Sequence, residues 1–162
     1  MNKIKKMISL GIDPGSRRIG YGVVEKKKDN VVRFVAAGIL KITSTDDIGA
    51  LTETKKGASA LMKKYKPDIV GIEKLFFSKN QKTAMAVAQA RGVLLLAAHE
   101  TGVPIKEYTP NEIKLGITGY GSADKTAVLK MVRLILGKQD LKVIDDASDA
   151  LAGAIMAANE RY

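Results

Sequence analysis

Two short apolar runs in this chain of 162 residues each end on a carboxylate. Met7-Ile8-Ser9-Leu10-Gly11-Ile12 runs into Asp13, and Asp68-Ile69-Val70-Gly71-Ile72 runs into Glu73. Runs this short and apolar predict buried strands. A strand that ends on an acid delivers a charge to the sheet edge, where α/β proteins bind ligands. Two further acids, Asp146 and Asp149, stand three residues apart at the start of an alanine-rich helix and share a face. If the two strands are neighbours and that helix packs across their ends, the four carboxylates converge. Converging like charges raise one another's pKa values unless cations lie between them. The economical reading is a divalent-metal site. Small residues at Ala147, Ala150, Gly153 and Ala154 let the helix approach a sheet closely, and Gly20 and Gly22 do the same for a strand.

The rest of the pattern predicts an α/β fold, a mixed five-stranded sheet flanked by helices. Strands are expected at 7–12, 19–25, 31–42, 68–73 and 104–107, the second and third joined as a hairpin through Lys26-Lys27-Lys28-Asp29-Asn30. A helix over 46–65 turns Ile48, Leu51, Ala58, Leu61 and Met62 inward, and Pro67 lies just past its end. A helix over 81–99 is apolar nearly all round, which predicts burial on more than one side, as a central helix or at a dimer interface. Thr109-Pro110-Asn111-Glu112 is a capping box with proline at the first helical position. A glycine-rich loop is expected at 116–121. Ser122 is the expected cap of a helix that ends at Gly137, and Asp145 that of the last helix, 146–160. No repeat or domain boundary is visible, so residues 1–162 are expected to form one domain.

Charge narrows the partners. Lys and Arg number 27 against 17 acids, a formal net charge of +10. Such an excess suits a polyanion, because bound phosphates release condensed counterions; an anionic membrane surface or plain solubility fits the charge as well. There is no cysteine, hence no disulfide and no thiolate ligand. No apolar run approaches the roughly 18 residues of a membrane span, and the basic N-terminus leads into a run too short for a signal-peptide core. A cytoplasmic location is expected.

Carboxylate oxygens select hard cations, so Mg²⁺ or Mn²⁺ fits better than zinc. Two such ions about 4 Å apart can activate water and stabilise a leaving phosphodiester oxygen. Each acid also has an ordinary reading: Asp13 before Pro-Gly as a turn residue, Asp145-Asp146 as capping and dipole compensation, Glu73 as an ion pair with Lys74. His99, the only histidine, sits in the apolar helix and reads as structural. Serine and cysteine nucleophile schemes therefore lack a base. Arg17 and Arg18, after the first turn, are candidates to hold a phosphate strand, or are merely solvated.

The blocks Gly11-Ile12-Asp13-Pro14-Gly15-Ser16, Gly20-Tyr21-Gly22-Val23, Ile72-Glu73-Lys74-Leu75-Phe76, Gln89-Ala90-Arg91-Gly92, Gly119-Tyr120-Gly121-Ser122-Ala123-Asp124-Lys125 and Asp146-Ala147-Ser148-Asp149 resemble the RuvC family of Holliday-junction resolvases, in the family's order and across nearly the whole chain. The resemblance implies a ribonuclease-H-like fold and a homodimer whose subunits each nick one of two opposed strands of a four-way DNA junction. It implies that Asp13, Glu73, Asp146 and Asp149 hold two Mg²⁺ ions per subunit, with Mn²⁺ as a substitute. Hydrolysis would leave 5′-phosphate and 3′-hydroxyl ends. It places Lys114 and Lys125 among basic residues for DNA contact or catalysis, Phe76 as a base-stacking aromatic, and the 81–99 helix at the dimer interface. It also implies a RuvA–RuvB branch-migration partner, and no membrane. The main rivals are a sugar kinase or ATPase of actin-like fold, which needs two such domains, a junction-binding scaffold, and a ribonuclease-H-like enzyme acting on RNA.

Overall fold

The computed structural model describes residues 6–75 and 81–160. Five strands form one mixed sheet: β1 (Met7–Asp13), β2 (Arg18–Lys26), β3 (Val32–Lys41), β4 (Ile69–Glu73) and β5 (Ile105–Tyr108). They lie in the order β3-β2-β1-β4-β5. The first three pair antiparallel, as their short connections require. β4 and β5 run parallel to β1 and are reached through helical crossovers. The helices are α1 (Asp47–Tyr65), α2 (Gln81–His99), α3 (Pro110–Thr118), α4 (Lys125–Leu136) and α5 (Asp145–Ala158).

Strand alternation sorts the chain into two cores. Leu10, Ile12, Ile19, Val23, Val70 and Ile72 pack with Ala58, Leu61 and Met62 of α1 and with Leu94, Ala97 and Ala98 of α2. Val24 and Ile69, on the opposite face, pack with α3, α4 and α5. Both faces are covered, so the central strands are continuously apolar rather than alternating.

The α5 face is nearly bare. A Cβ added at Gly11 would lie 1.8 Å from the Ala150 carbonyl oxygen, and one at Gly20 2.0 Å from that of Asp146. At Gly22 it would meet the Leu151 Cα at 2.7 Å, and at Gly71 the Gly153 carbonyl oxygen at 2.6 Å. Ser9, fully buried, donates its hydroxyl to the Ala154 carbonyl at 2.8 Å. The α5 backbone thus rests on the sheet backbone, as the small residues predict.

Several expectations are corrected. Asp124, not Ser122, caps α4: its carboxylate accepts from the Ala127 amide at 2.8 Å. Asp145 is the first residue of α5, and Ile144 precedes it without a side-chain cap. α3 runs on to Thr118, so Gly116, Ile117 and Thr118 belong to the helix rather than to the expected loop, and Gly116 leaves room for Met156 of α5, which lies where a side chain would go. Ile48, expected inward, is 79% exposed, while Ala50 two residues on is buried. The capping box at Thr109 and the left-handed Gly137 after α4 form as expected. α2 buries Ala90, Leu94, Ala97 and Ala98, while Met85 and Leu96 are 71% and 52% exposed. Among the described residues it is covered on one side only.

The sheet–helix contact generates a stability prediction. Gly11→Ala should cost about 3 kcal/mol or more, because neither backbone can retreat. Gly121→Ala, whose new Cβ would meet only the Asn111 carbonyl at 3.9 Å, should leave the melting temperature nearly unchanged. Thermal melts of the two variants check this.

Candidate active site

β1 and β4 are parallel neighbours, with Gly11 opposite Gly71 and Ile12 opposite Ile72. One residue further along each strand stand Asp13 and Glu73. By the two-residue period they share the face of Gly11 and Gly71, which is the α5 face. Gly20 pairs with Asp13 across the sheet and touches the first turn of α5 at Asp146. The glycines that seat α5 therefore also set how near Asp146 and Asp149 stand to Asp13.

The acids meet at a cleft of about 480 Å³ at the carboxyl edge of the sheet. Asp13, Glu73 and Asp149 line it, with Lys74, Lys114, Asp124 and Lys125. Asp146 stands beside it, 36% exposed at its side chain, with the Arg18 Nε 3.2 Å from its Oδ2. Lys125 Nζ lies 3.7 Å from the Asp149 Oδ2. Asp13 bears the strain of this crowding. Burial, then the charges of Glu73, Asp149 and Asp146, push its carboxyl up to about 8, against a smaller opposing pull from Lys125. Burial also raises Asp149, with Lys125 working the other way.

Among the described residues no three acids close tightly enough to ligate a single ion together. The convergence expected from sequence is therefore a ring around a cleft, with Arg18 beside Asp146 and Lys125 beside Asp149. The donor set nevertheless suits a hard divalent cation: the acids of the ring offer only carboxylate oxygens, and a cation would relieve the charge that burdens Asp13.

The other sequence candidates divide. Lys114 and Lys125 line the cleft. Arg17 does not: its guanidinium donates to the Ser44 carbonyl and lies 3.6 Å from Asp47, on the α1 side of the sheet. Arg17 lies in the bend before β2 and Arg18 is the first residue of that strand, and Arg18 is the one directed at an acid of the ring. Phe76 lies outside the described residues. His99 ends α2, exposed, and does not line the cleft. Sequence reading gave Lys74 no place in the site beyond an ion pair with Glu73, yet it lines the cleft; its position directly after the Glu73 strand end was the available signal.

A five-stranded mixed sheet with this acidic edge is the ribonuclease-H-like class of nuclease fold. A family model described as crossover junction endodeoxyribonuclease RuvC matches residues 9–157, and the chain belongs to that family. The family's enzyme from Moorella thermoacetica is 42% identical over 153 residues, covering 94% of this chain and 92% of the relative. That from Chloroflexus aggregans is 44% identical over 153 residues, covering 94% and 93%. The structure of Thermus thermophilus RuvC in complex with a Holliday junction substrate superposes with a TM-score of 0.84 at 33% identity, covering 92% of this chain and 91% of that one. The yeast mitochondrial Holliday junction resolvase shares the fold, with a TM-score of 0.66 at 13% identity, covering 91% and 77%. Among the described residues no helix is long and apolar enough to cross a membrane.

The raised Asp13 carboxyl has a pH signature. A carboxyl near 3.8 when unfolded and about 8 when folded binds its proton more tightly in the folded state. Its contribution favours folding below pH 4 and is lost as pH rises through 8. Asp13→Asn should therefore melt higher than the parent in EDTA at pH 8. The gain should be a few degrees, since about 1 kcal/mol moves the midpoint ~2–4 °C in a chain this size. Thermal melts across pH 5–9 measure it.

Proposed function

We propose that this chain is a structure-selective endodeoxyribonuclease that resolves four-way DNA junctions by paired symmetrical nicks, in homologous recombination and repair. The observation that carries the reading is the acidic ring of Asp13, Glu73, Asp146 and Asp149 at the carboxyl edge of the sheet, in a chain of the RuvC family. A relative of the same fold has been visualised with a Holliday junction, which supports that DNA as substrate.

In this reading Asp13, Glu73, Asp146 and Asp149 hold two Mg²⁺ ions, or Mn²⁺ in their place. When bound, such ions lower the pKa of water and neutralise charge developing on a phosphodiester. Asp13 carries its proton at neutral pH in the ion-free protein, and gives it up on loading. Lys114 and Lys125 line the same cleft, where their charge suits the scissile phosphate and its neighbours. Lys125 can exchange Asp149 for a phosphate oxygen at little electrostatic cost. Phe76, stacking on bases near the crossover, extends the DNA contact. In-line hydrolysis leaves 5′-phosphate and 3′-hydroxyl ends.

Two opposed nicks require two clefts. Met85 and Leu96 leave an apolar face of α2 exposed, which suits a second copy of the chain. The working unit is then a homodimer of single-domain subunits spanning residues 1–162, acting in the cytoplasm. A RuvA–RuvB complex moving the branch point is the partner that family analogy supplies.

Cleavage of an end-labelled synthetic four-way junction, with and without Mg²⁺, beside linear duplex and an RNA–DNA hybrid, tests the reading. Metal-dependent symmetrical nicks in the junction alone are expected. Cutting of the hybrid instead makes the protein a ribonuclease, and binding without cutting in any metal removes the catalytic reading. Asp13→Asn should bind the junction normally and cut it about 10³-fold more slowly or worse. Lys125→Ala should lower the slope of log affinity against log salt by about 1; an unchanged slope and rate would exclude a phosphate contact.

A further inference from the structure

Arg91 is the only charged residue of α2 after Lys82. A guanidinium on an otherwise apolar stretch costs desolvation energy unless its donors are used. Here they are. The side chain is only 15% exposed. Its Nε donates to the main-chain carbonyl of Glu73 at 3.0 Å. Its Nη2 donates to the Glu107 carboxylate.

The two acceptors are adjacent in the sheet. Ile72 pairs with Glu107 and Glu73 with Tyr108, the last step of the β4–β5 ladder. Beyond it the Lys74 amide donates to the Tyr108 carbonyl at 2.8 Å, and β4 ends. Arg91 thus spans both strands at the point where Glu73 leaves the sheet. Glu73 projects its carboxylate into the cleft from the same residue whose carbonyl Arg91 holds. A tilt of this strand end swings the carboxylate directly. Lysine has no planar fork and cannot serve both acceptors in this geometry.

We propose that Arg91 is a positioning residue for the acidic cleft, fixing the end of β4 so that the Glu73 carboxylate is presented at the angle a divalent cation requires. The proposal rests on the metal-dependent nuclease reading above. It adds a residue outside the acidic ring, contributed by a helix that otherwise stands apart from the cleft. Loss of a group that orients a metal ligand ordinarily weakens metal binding or activity by about 10–100-fold.

The test compares Arg91→Ala, Arg91→Lys and Glu107→Gln with the parent in four measurements. These are single-turnover cleavage of a four-way junction, junction binding in EDTA, thermal melting, and Mn²⁺ affinity from the paramagnetic resonance signal of free ion. Arg91→Ala should weaken Mn²⁺ binding and slow cleavage about tenfold or more, with junction affinity in EDTA unchanged. Arg91→Lys keeps the charge and the fold, melts near the parent, and should remain slow and weak for Mn²⁺. Glu107→Gln, which loosens one end of the fork, should show a smaller change of the same kind. Parental Mn²⁺ affinity and rate in Arg91→Ala would overturn the proposal. So would Arg91→Lys restoring melting, Mn²⁺ affinity and rate together, since that is the mark of a merely structural cation. If Arg91→Ala does not fold, the lysine and Glu107 variants decide by the same criteria. If the parent cuts no junction but Arg91→Lys still weakens Mn²⁺, the nuclease reading fails and the positioning role stands.

Discussion

The backbone-on-backbone contact between α5 and the sheet is the constraint on which everything else depends. Gly11, Gly20, Gly22 and Gly71 remove the side chains that would normally hold a helix off a sheet, and Ser9 adds a buried hydrogen bond to the Ala154 carbonyl. The usual gap of interdigitated side chains shrinks to van der Waals contact between main chains. Asp146 and Asp149, on the first turns of that helix, are thereby brought beside Asp13 and Glu73, which leave the sheet on the same face. A conventional helix–sheet spacing would carry the acids of α5 away from those of the strands. Bulky residues still fill the core on both sides of the sheet, with Tyr108, Val132, Leu136 and Ile155 around α5 and Leu61, Met62 and Leu94 on the α1–α2 side.

That closeness has an electrostatic cost, which the chain meets in two ways. Asp13 is half-buried beside three carboxylates, and desolvation and their charges push its carboxyl up to about 8. Arg18 and Lys125 stand against Asp146 and Asp149 and spread the ring outward. Both are adaptable devices: a proton is displaced easily by a cation, and flexible cationic side chains can move to phosphates. The excess of basic residues over the chain as a whole pulls in the same direction, attracting a polyanion toward an edge that is locally acidic. The long-range field and the local chemistry have opposite signs, and they operate at different distances.

Much of this was legible in the residues. The five strands follow from apolar run lengths, and the helix at 81–99 from a periodic apolar stretch without breakers. The capping box at Thr109 and Gly137 after α4 are local signals that need no tertiary context. The four acids were legible because each sits where packing does not explain it. What failed lies where two local signals compete. Ser122 and Asp124 are both good caps, and only the loop geometry selects Asp124. Gly116 reads as loop until Met156 is seen to occupy its side-chain space. Ile48 reads as inward, but in the first turn it is Ala50 that enters the core. Arg17 and Arg18 look equivalent in a list of residues, yet one is held in the bend before β2 by Ser44 and Asp47 and the other meets Asp146. Arg91 carried a signal, a lone charge on an apolar helix, but its partners are a main-chain carbonyl and a residue of another strand, which sequence does not place.

The glycines and the acids answer to different demands. In the proposed function the acids serve chemistry. The glycines serve the seat of α5, and a methyl group at Gly11 would meet main chain on every side. A descendant of such a protein that gave up cutting and kept only the shape could shed its carboxylates one by one, yet it would still need a bare strand at those positions. The glycine pattern is the more durable record of ancestry, and it would still mark the lineage after the reaction had been lost.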